Sequence, residues 1–199
     1  KKLYITGKGR CNITNAGDVD TLFENVMTNR KFLYSAFYAY DNQRVIDFFE
    51  THGVRTKIER GNRVFPYSDH SSDVIAALKR ALVNAGVDIH LHTCVKELLV
   101  EDQRCRGAVL EDGTKEMADA VILATGGFSY QSTGSTGDGY RFARACGHQV
   151  TEIEPALVPF NVKETYVTEM QGLALKNVRV TIRQEKKVLF EGMQIAVML

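Results

Sequence analysis

The sequence predicts an α/β fold, on three observations. From residue 71 onward a helix, a strand, a strand pair, a buried strand, a glycine-rich loop and a second helix follow in that order, as in nucleotide-binding α/β sheets. Within ADAVILATGG (residues 118–127) the apolar run is unbroken, which reads as a strand buried on both faces. Two glycine-rich stretches, TGKGRCNITN at residues 6–15 and ATGGFSYQSTGSTGDGY at residues 124–140, have the composition of ligand-holding loops.

The elements follow from local chemistry. Residues 18–53 read as helical: Phe32, Leu33, Phe37 and Tyr40 recur near helical spacing, Val45, Ile46, Phe48 and Phe49 mark a second helix, and Gly53 stops it. Gly61-Asn62 is turn chemistry between two short extended runs, so a small hairpin is expected. Residues 71–85 form an amphipathic helix with Ser71 or Ser72 as its cap, Val74, Ile75, Leu78, Leu82 and Val83 as its buried stripe, and Gly86 as its stop. A strand is expected at residues 87–93, where Val87, Ile89 and Leu91 alternate with Asp88, His90 and His92. Strands at 95–100 and 106–110 form a pair. After the second glycine stretch, residues 140–146 read as a helix with Asp138 as cap and Gly147 as stop. The alternation in VRVTIRQEKKVLF opens a β-rich element starting near residue 160.

The bulk numbers exclude several classes. With 44% hydrophobic and 25% charged residues, the 199-residue chain has the composition of a globular protein with a core. A net charge of +1 is no footprint of a nucleic-acid binder, and no apolar run is long enough to span a membrane. Cys11, Cys94, Cys105 and Cys146 form no C-x-x-C pair, so reduced thiols in a cytoplasmic protein are expected, with no metal site. His90 and His92 read as a polar sheet face in preference to a metal pair. Cys11 reads as a small packing residue in preference to a reactive thiol.

The glycine loops carry the functional question. A dinucleotide-binding turn needs G-x-G-x-x-G, so that backbone can approach a pyrophosphate. Residues 7–12 have Asn12 in the third glycine position, and residues 137–142 have Phe142 there. Small residues at Ala124, Thr125, Gly126 and Gly127 would let a flat or phosphorylated ligand lie against backbone at a strand end. The glycines of STGSTGDG offer amides leading into a helix, while Asp138 suits a hydroxyl group or a capping role better than a phosphate. In the first loop, Lys8 and Arg10 offer positive charge to a phosphate. A flexible turn in the second stretch and a solvated basic turn in the first stay open as the plain alternatives.

The blocks KKLYITGKGRCNITN, FLYSAF, FFETHGV, GNRVFPYSDHSSDVIAAL and ILATGGFSYQSTGSTGDGYRFARACGH closely resemble, in order, a family of bacterial NAD(P)/FAD-dependent oxidoreductases that includes bile-acid-reductase-like members. The resemblance runs from Lys1 to about Phe160. It implies a partial Rossmann-like FAD-binding domain at residues 1–17 and 64–155, a helical insert with a small hairpin at 18–63, and the start of a β-rich substrate domain at 156–199. Gly7, Lys8, Gly9, Arg10, Cys11 and Asn12 would lie beside the pyrophosphate and flavin of FAD, with Arg10 stabilising charge on the reduced flavin or its phosphates. Val95 would present backbone to the adenine. Ala124, Thr125, Gly126 and Gly127 would line the middle of the cofactor, and Tyr130, Thr136, Gly137, Asp138 and Gly139 would lie toward the ribityl chain or ring.

Family members carry G-x-G-x-x-G upstream of the block that opens this chain, so the sequence is expected to be the middle part of a flavoprotein. The implied activity passes a hydride between a nicotinamide donor, NAD(P)H, and a small organic substrate. The low net charge and the lack of a long apolar run lead to the expectation of no nucleic-acid or membrane partner, and an exposed sheet edge implies self-association. The competing reading is a non-catalytic nucleotide-site remnant that folds without binding FAD. No catalytic acid–base pair stands out.

Overall fold

A computed structural model describes residues 1–155 and 161–197. The chain divides into two compact units, Lys1–Val150 and Thr151–Leu199. The part of the expected β-rich domain at residues 156–160 and 198–199 lies outside the described residues.

The first unit opens with the short helix α1 (Lys2–Ile5) and a tight 3-10 turn at Thr6–Gly9, then the two-residue strand β1 (Thr14–Asn15). The stretch expected to form two helices is broken into more pieces: α2 (Val19–Glu24), a 3-10 turn at Arg30–Leu33, α3 (Tyr34–Ala39) and α4 (Asn42–Thr51). Asp18 and Asp41 explain two of the starts, since their carboxylates accept from the amides of Thr21 (2.7 Å) and Arg44 (2.8 Å). Phe32 and Tyr40, expected in a helical core, are exposed, and Phe23 is the buried aromatic, packed against Tyr34, Phe37 and Tyr38.

The hairpin forms where turn chemistry placed it. Strands β2 (Thr56–Glu59) and β3 (Arg63–Pro66) pair antiparallel, with both Gly61 and Asn62 left-handed between them, and β1 adds to β3. Helix α5 (Ser71–Asn84) follows. Its first helical residue is Ser71, so neither serine caps it; His70 holds that position without a side-chain hydrogen bond. Val74 and Ala77 are fully buried, whereas Leu82 and Val83 are exposed, so the apolar stripe is covered only along its first half. Gly53, Gly86 and Gly147 follow α4, α5 and the later helix with φ of 82°, 71° and 84°, the left-handed stop read from sequence.

Beyond α5 the sequence reading fails at two strands. Residues 87–93 and 118–127 contain no strand, and Ile122 is 90% exposed. The physical reason is partnership: a strand needs a hydrogen-bonded neighbour along its length, and among the described residues the one such bond from either segment to a strand residue runs from Ala118 N to Arg106 O, at 2.8 Å. The pairs that form are antiparallel, β4 (Val95–Glu101) with β5 (Arg104–Leu110) and β5 with β6 (Lys115–Met117). Helix α6 (Asp138–Ala145) is tied to this sheet by Arg141, whose Nη1 donates to Lys96 O at 2.7 Å. In the second unit, β7 (Ala174–Gln184) and β8 (Lys187–Val197) form an antiparallel hairpin. Among the described residues no helix is long and apolar enough to cross a membrane.

Candidate functional site

The first glycine loop is bent tightly and packed from below. Gly7, Lys8, Gly9 and Cys11 all have positive φ. A side chain at Gly7 would stand 2.7 Å from the Asn12 amide nitrogen and 3.0 Å from the Phe65 ring, so only glycine fits there. Cys11 is 2% exposed and shares a core with Phe49, Val54, Val74 and Ala77, drawn from α4, the loop after it and α5. This is the packing role read from sequence. In the orientation that satisfies its surroundings, the Asn12 amide donates to Val64 O (3.1 Å) and Thr14 O (3.0 Å). The floor of this loop therefore draws on both the expected insert (Phe49, Val54) and the segment after it (Val64, Phe65, Val74, Ala77).

Arg10 is committed inside the protein. Nη1 and Nη2 fork onto the two oxygens of Glu59 at 2.8 and 3.3 Å, Nη1 also reaches Asp69 Oδ1 at 3.1 Å, and the guanidinium lies 4.0 Å over the Phe65 ring. Lys57 completes the network on Asp69 at 2.6 Å. The hydrogen bond to Glu59 raises the Arg10 pKa further above its already high value. Glu59 is held below the usual carboxylate range chiefly by Arg10, and Asp69 chiefly by Lys57 with Arg10 second. Two carboxylates thus already hold the Arg10 charge that the sequence reading offered to flavin or phosphate. Lys8 differs: its side chain is exposed and forms no ion pair among the described residues.

The second loop is built the other way. Among the described residues, the amides of residues 124–129 and 135–137 donate to no backbone carbonyl. Its glycines serve close approach inside the loop: a side chain at Gly137 would meet the Phe128 ring at 2.6 Å, and one at Gly139 would meet Thr125 Oγ1 at 2.6 Å. Asp138 is the first helical residue of α6, and the cap is Gly137. The Asp138 carboxylate accepts from Thr136 Oγ1 (2.6 Å) and Arg141 Nη2 (3.3 Å), which hold it below its usual range in that order of importance. Thr136 and Arg141 together occupy the carboxylate, which accounts for the departure from the capping role read in the sequence. Tyr130 is 72% exposed with left-handed backbone.

The two stretches are linked by Lys2, whose Nζ donates to Ser129 O at 2.9 Å. Val95 is the first residue of β4, paired with Leu110, and does not follow a strand. His90 pairs with Asp88 at 3.0 Å, which raises the histidine pKa, and no group of metal-binding side chains occurs among the described residues. The partners of Arg10 went unnoticed in the sequence because Glu59 and Asp69 lie 49 and 59 residues away.

Residues 1–192 match the family described as HI0933-like protein Rossmann domain. The chain belongs to this family. It is a family of FAD-binding oxidoreductases, and the fold class is accordingly α/β and Rossmann-like. The chain is 34% identical over 174 residues to a 3-dehydro-bile acid delta(4,6)-reductase from Clostridium scindens, covering 87% of this chain and 41% of that protein. It is 26% identical to a ribosomal RNA dihydrouridine synthase from Haemophilus influenzae, covering 88% of this chain and 44% of the relative. A ribosomal RNA dihydrouridine synthase from Escherichia coli is 25% identical, with 96% and 46% covered. The chain thus spans less than half the length of these curated relatives.

Proposed function

We propose that the protein to which this chain belongs is an FAD-dependent oxidoreductase that passes a hydride from a nicotinamide donor to an organic substrate. The observation that carries this reading is the second loop, where runs of amides without backbone partners precede α6. Such amides suit the phosphate and hydroxyl oxygens of an extended dinucleotide. The residues fit the group: amides at 124–129 and 135–137 would hold its polar middle, and Lys8 in place of Arg10 would offer positive charge. Gly9 leaves open space for close approach, with Tyr4 O at 3.8 Å as the nearest neighbour of a side chain placed there. Tyr130 would cover the ring. Bound FAD supplies the hydride chemistry, and the protein positions and tunes it.

The relatives' names, a delta(4,6)-reductase and dihydrouridine synthases, support addition of hydrogen across a ring carbon–carbon double bond as the reaction type. Family membership does not favour the reading of an inert nucleotide-site remnant. Four free thiols support a cytoplasmic setting. The outer edges of β4 and β6 support self-association.

The test is a visible absorption spectrum of the purified chain after incubation with FAD and gel filtration. Flavin bands that travel with the protein are the expected result, and the elution volume reports self-association. A folded protein that emerges colourless would overturn the reading for this chain.

A further inference from the structure

A hollow of about 340 Å³ lies between the loop after α4, the loop after β3 and the outer face of α5. That volume is at the lower end for small-molecule sites. Arg55 and Arg80 both line it, and neither guanidinium forms an ion pair among the described residues. Each is nevertheless held in place. Arg80 Nη2 donates to His52 O at 2.8 Å, and the Arg55 guanidinium stacks 4.9 Å from the centre of the Tyr67 ring. The carboxylate lining the hollow is Asp73, and its Oδ2 accepts from Ser68 Oγ at 2.6 Å. The other carboxylate oxygen takes no hydrogen bond among the described residues.

This set of groups is selective. Two oriented guanidiniums with spare donors suit the oxygens of a phosphate, where arginine binds by its planar fork. A carboxylate oxygen beside them would repel a bare phosphate but accepts from a sugar hydroxyl. The exposed Tyr67 ring offers a flat apolar face to a base. Phosphate, hydroxyl and ring together describe a phosphorylated ribonucleoside. The hollow also adjoins the first glycine loop through the hairpin: Lys57, 6.0 Å from the Tyr67 ring centre, pairs with Asp69, which pairs with Arg10.

We propose that the Arg55–Arg80 hollow binds the phosphorylated ribose of the nicotinamide donor, so that the donor is NADPH in preference to NADH. The proposal rests on the oxidoreductase reading for its choice of ligand, since the same phosphoribose chemistry could come from an RNA strand. Isothermal titration of the purified chain with 2′,5′-ADP, NADPH, NADH and a hexauridylate RNA separates these sources.

The expected result is binding of 2′,5′-ADP and NADPH, with NADH weaker by about tenfold or more, the worth of one charge-assisted contact. Arg55→Gln removes a stacked guanidinium that holds no backbone group and should weaken both phosphorylated ligands by a similar factor. Arg55→Lys should recover part of the loss and, by keeping the charge, controls for folding. Equal binding of NADH and NADPH, no binding of 2′,5′-ADP, or affinity indifferent to both Arg55 variants would overturn the proposal. Arg55-dependent binding of the RNA alone would overturn the donor assignment. FAD retention, measured on the same samples by absorption, fails or succeeds independently, which separates this site from the flavin reading.

Discussion

The two glycine-rich loops are made of similar residues and are built on opposite principles. The loop at residues 6–12 is a finished structure: Cys11 is in the core, Asn12 spends its amide on two carbonyls, and Arg10 is neutralised by Glu59 and Asp69. The loop at residues 124–139 is closed on itself by small contacts but leaves its amides without backbone partners. The difference teaches that glycine content does not by itself mark a ligand loop. In the first loop glycine lets the chain pack, and in the second it lets the chain present donors.

The largest break in this comparison should come from the aromatic under each loop. Phe65 is 2% exposed and forms the wall against Gly7 and Arg10, so Phe65→Ala should cost about 3–5 kcal/mol in urea unfolding. Phe128 in the second loop is half exposed, and Phe128→Ala should cost less than about 1.5 kcal/mol. Similar costs at the two positions would remove the distinction.

A smaller effect separates two glycines. Gly7→Ala forces a side chain into both a left-handed backbone and two close contacts, whereas Gly134→Ala meets nothing within 4 Å and bears only the backbone strain. That strain alone is about 1–2 kcal/mol, and Gly7→Ala should exceed it measurably by the same unfolding assay.

Acid should loosen the first loop more than the second. Folded-state pKa values of Glu59, Asp69 and Asp138 are all depressed, so each carboxylate stabilises the fold above its unfolded pKa, near 4, and that contribution is lost as pH falls through the depressed folded value. Thermal melts between neutral and acid pH should show a steep acid limb that Glu59→Gln with Asp69→Asn flattens. Asp138→Asn, which removes one carboxylate from one short chain of contacts, should flatten it less. The smallest effect belongs to Ile122. At 90% exposure, Ile122→Ser should change stability by no more than about 0.5 kcal/mol. A loss of several kcal/mol would restore the buried strand that the sequence suggested.

What was legible in the sequence is what local chemistry determines. Gly61-Asn62 announced the hairpin, and the spacing of Val74 and Leu78 with Gly86 announced α5, because turns and helices close hydrogen bonds between near neighbours. Residues 87–93 and 118–127 have the right composition for strands, but composition does not supply the neighbouring strand that would make them so. Gly7 could be suspected from sequence as a tight loop residue. The neutralisation of Arg10 could not, since it depends on residues brought together only by the hairpin and the turn before α5. Phe23 escaped notice because the aromatics it packs against, Tyr34, Phe37 and Tyr38, all lie on the separate short helix α3. At the second loop the glycine positions were legible, but the strand expected before it does not form and Asp138 lies inside α6 behind a Gly137 cap.

The most direct test of the account is hydrogen exchange of backbone amides with and without saturating FAD. The prediction is that the Cys11 and Ile13 amides, already bonded to Thr6 O and Val64 O, are protected from the outset and unchanged by FAD. Amides at residues 124–129 and 135–137 should exchange fast in the free chain and slow when FAD is added. Protection of the second loop before FAD, or no change in it at saturation, would contradict the claim that this loop presents its donors to the cofactor.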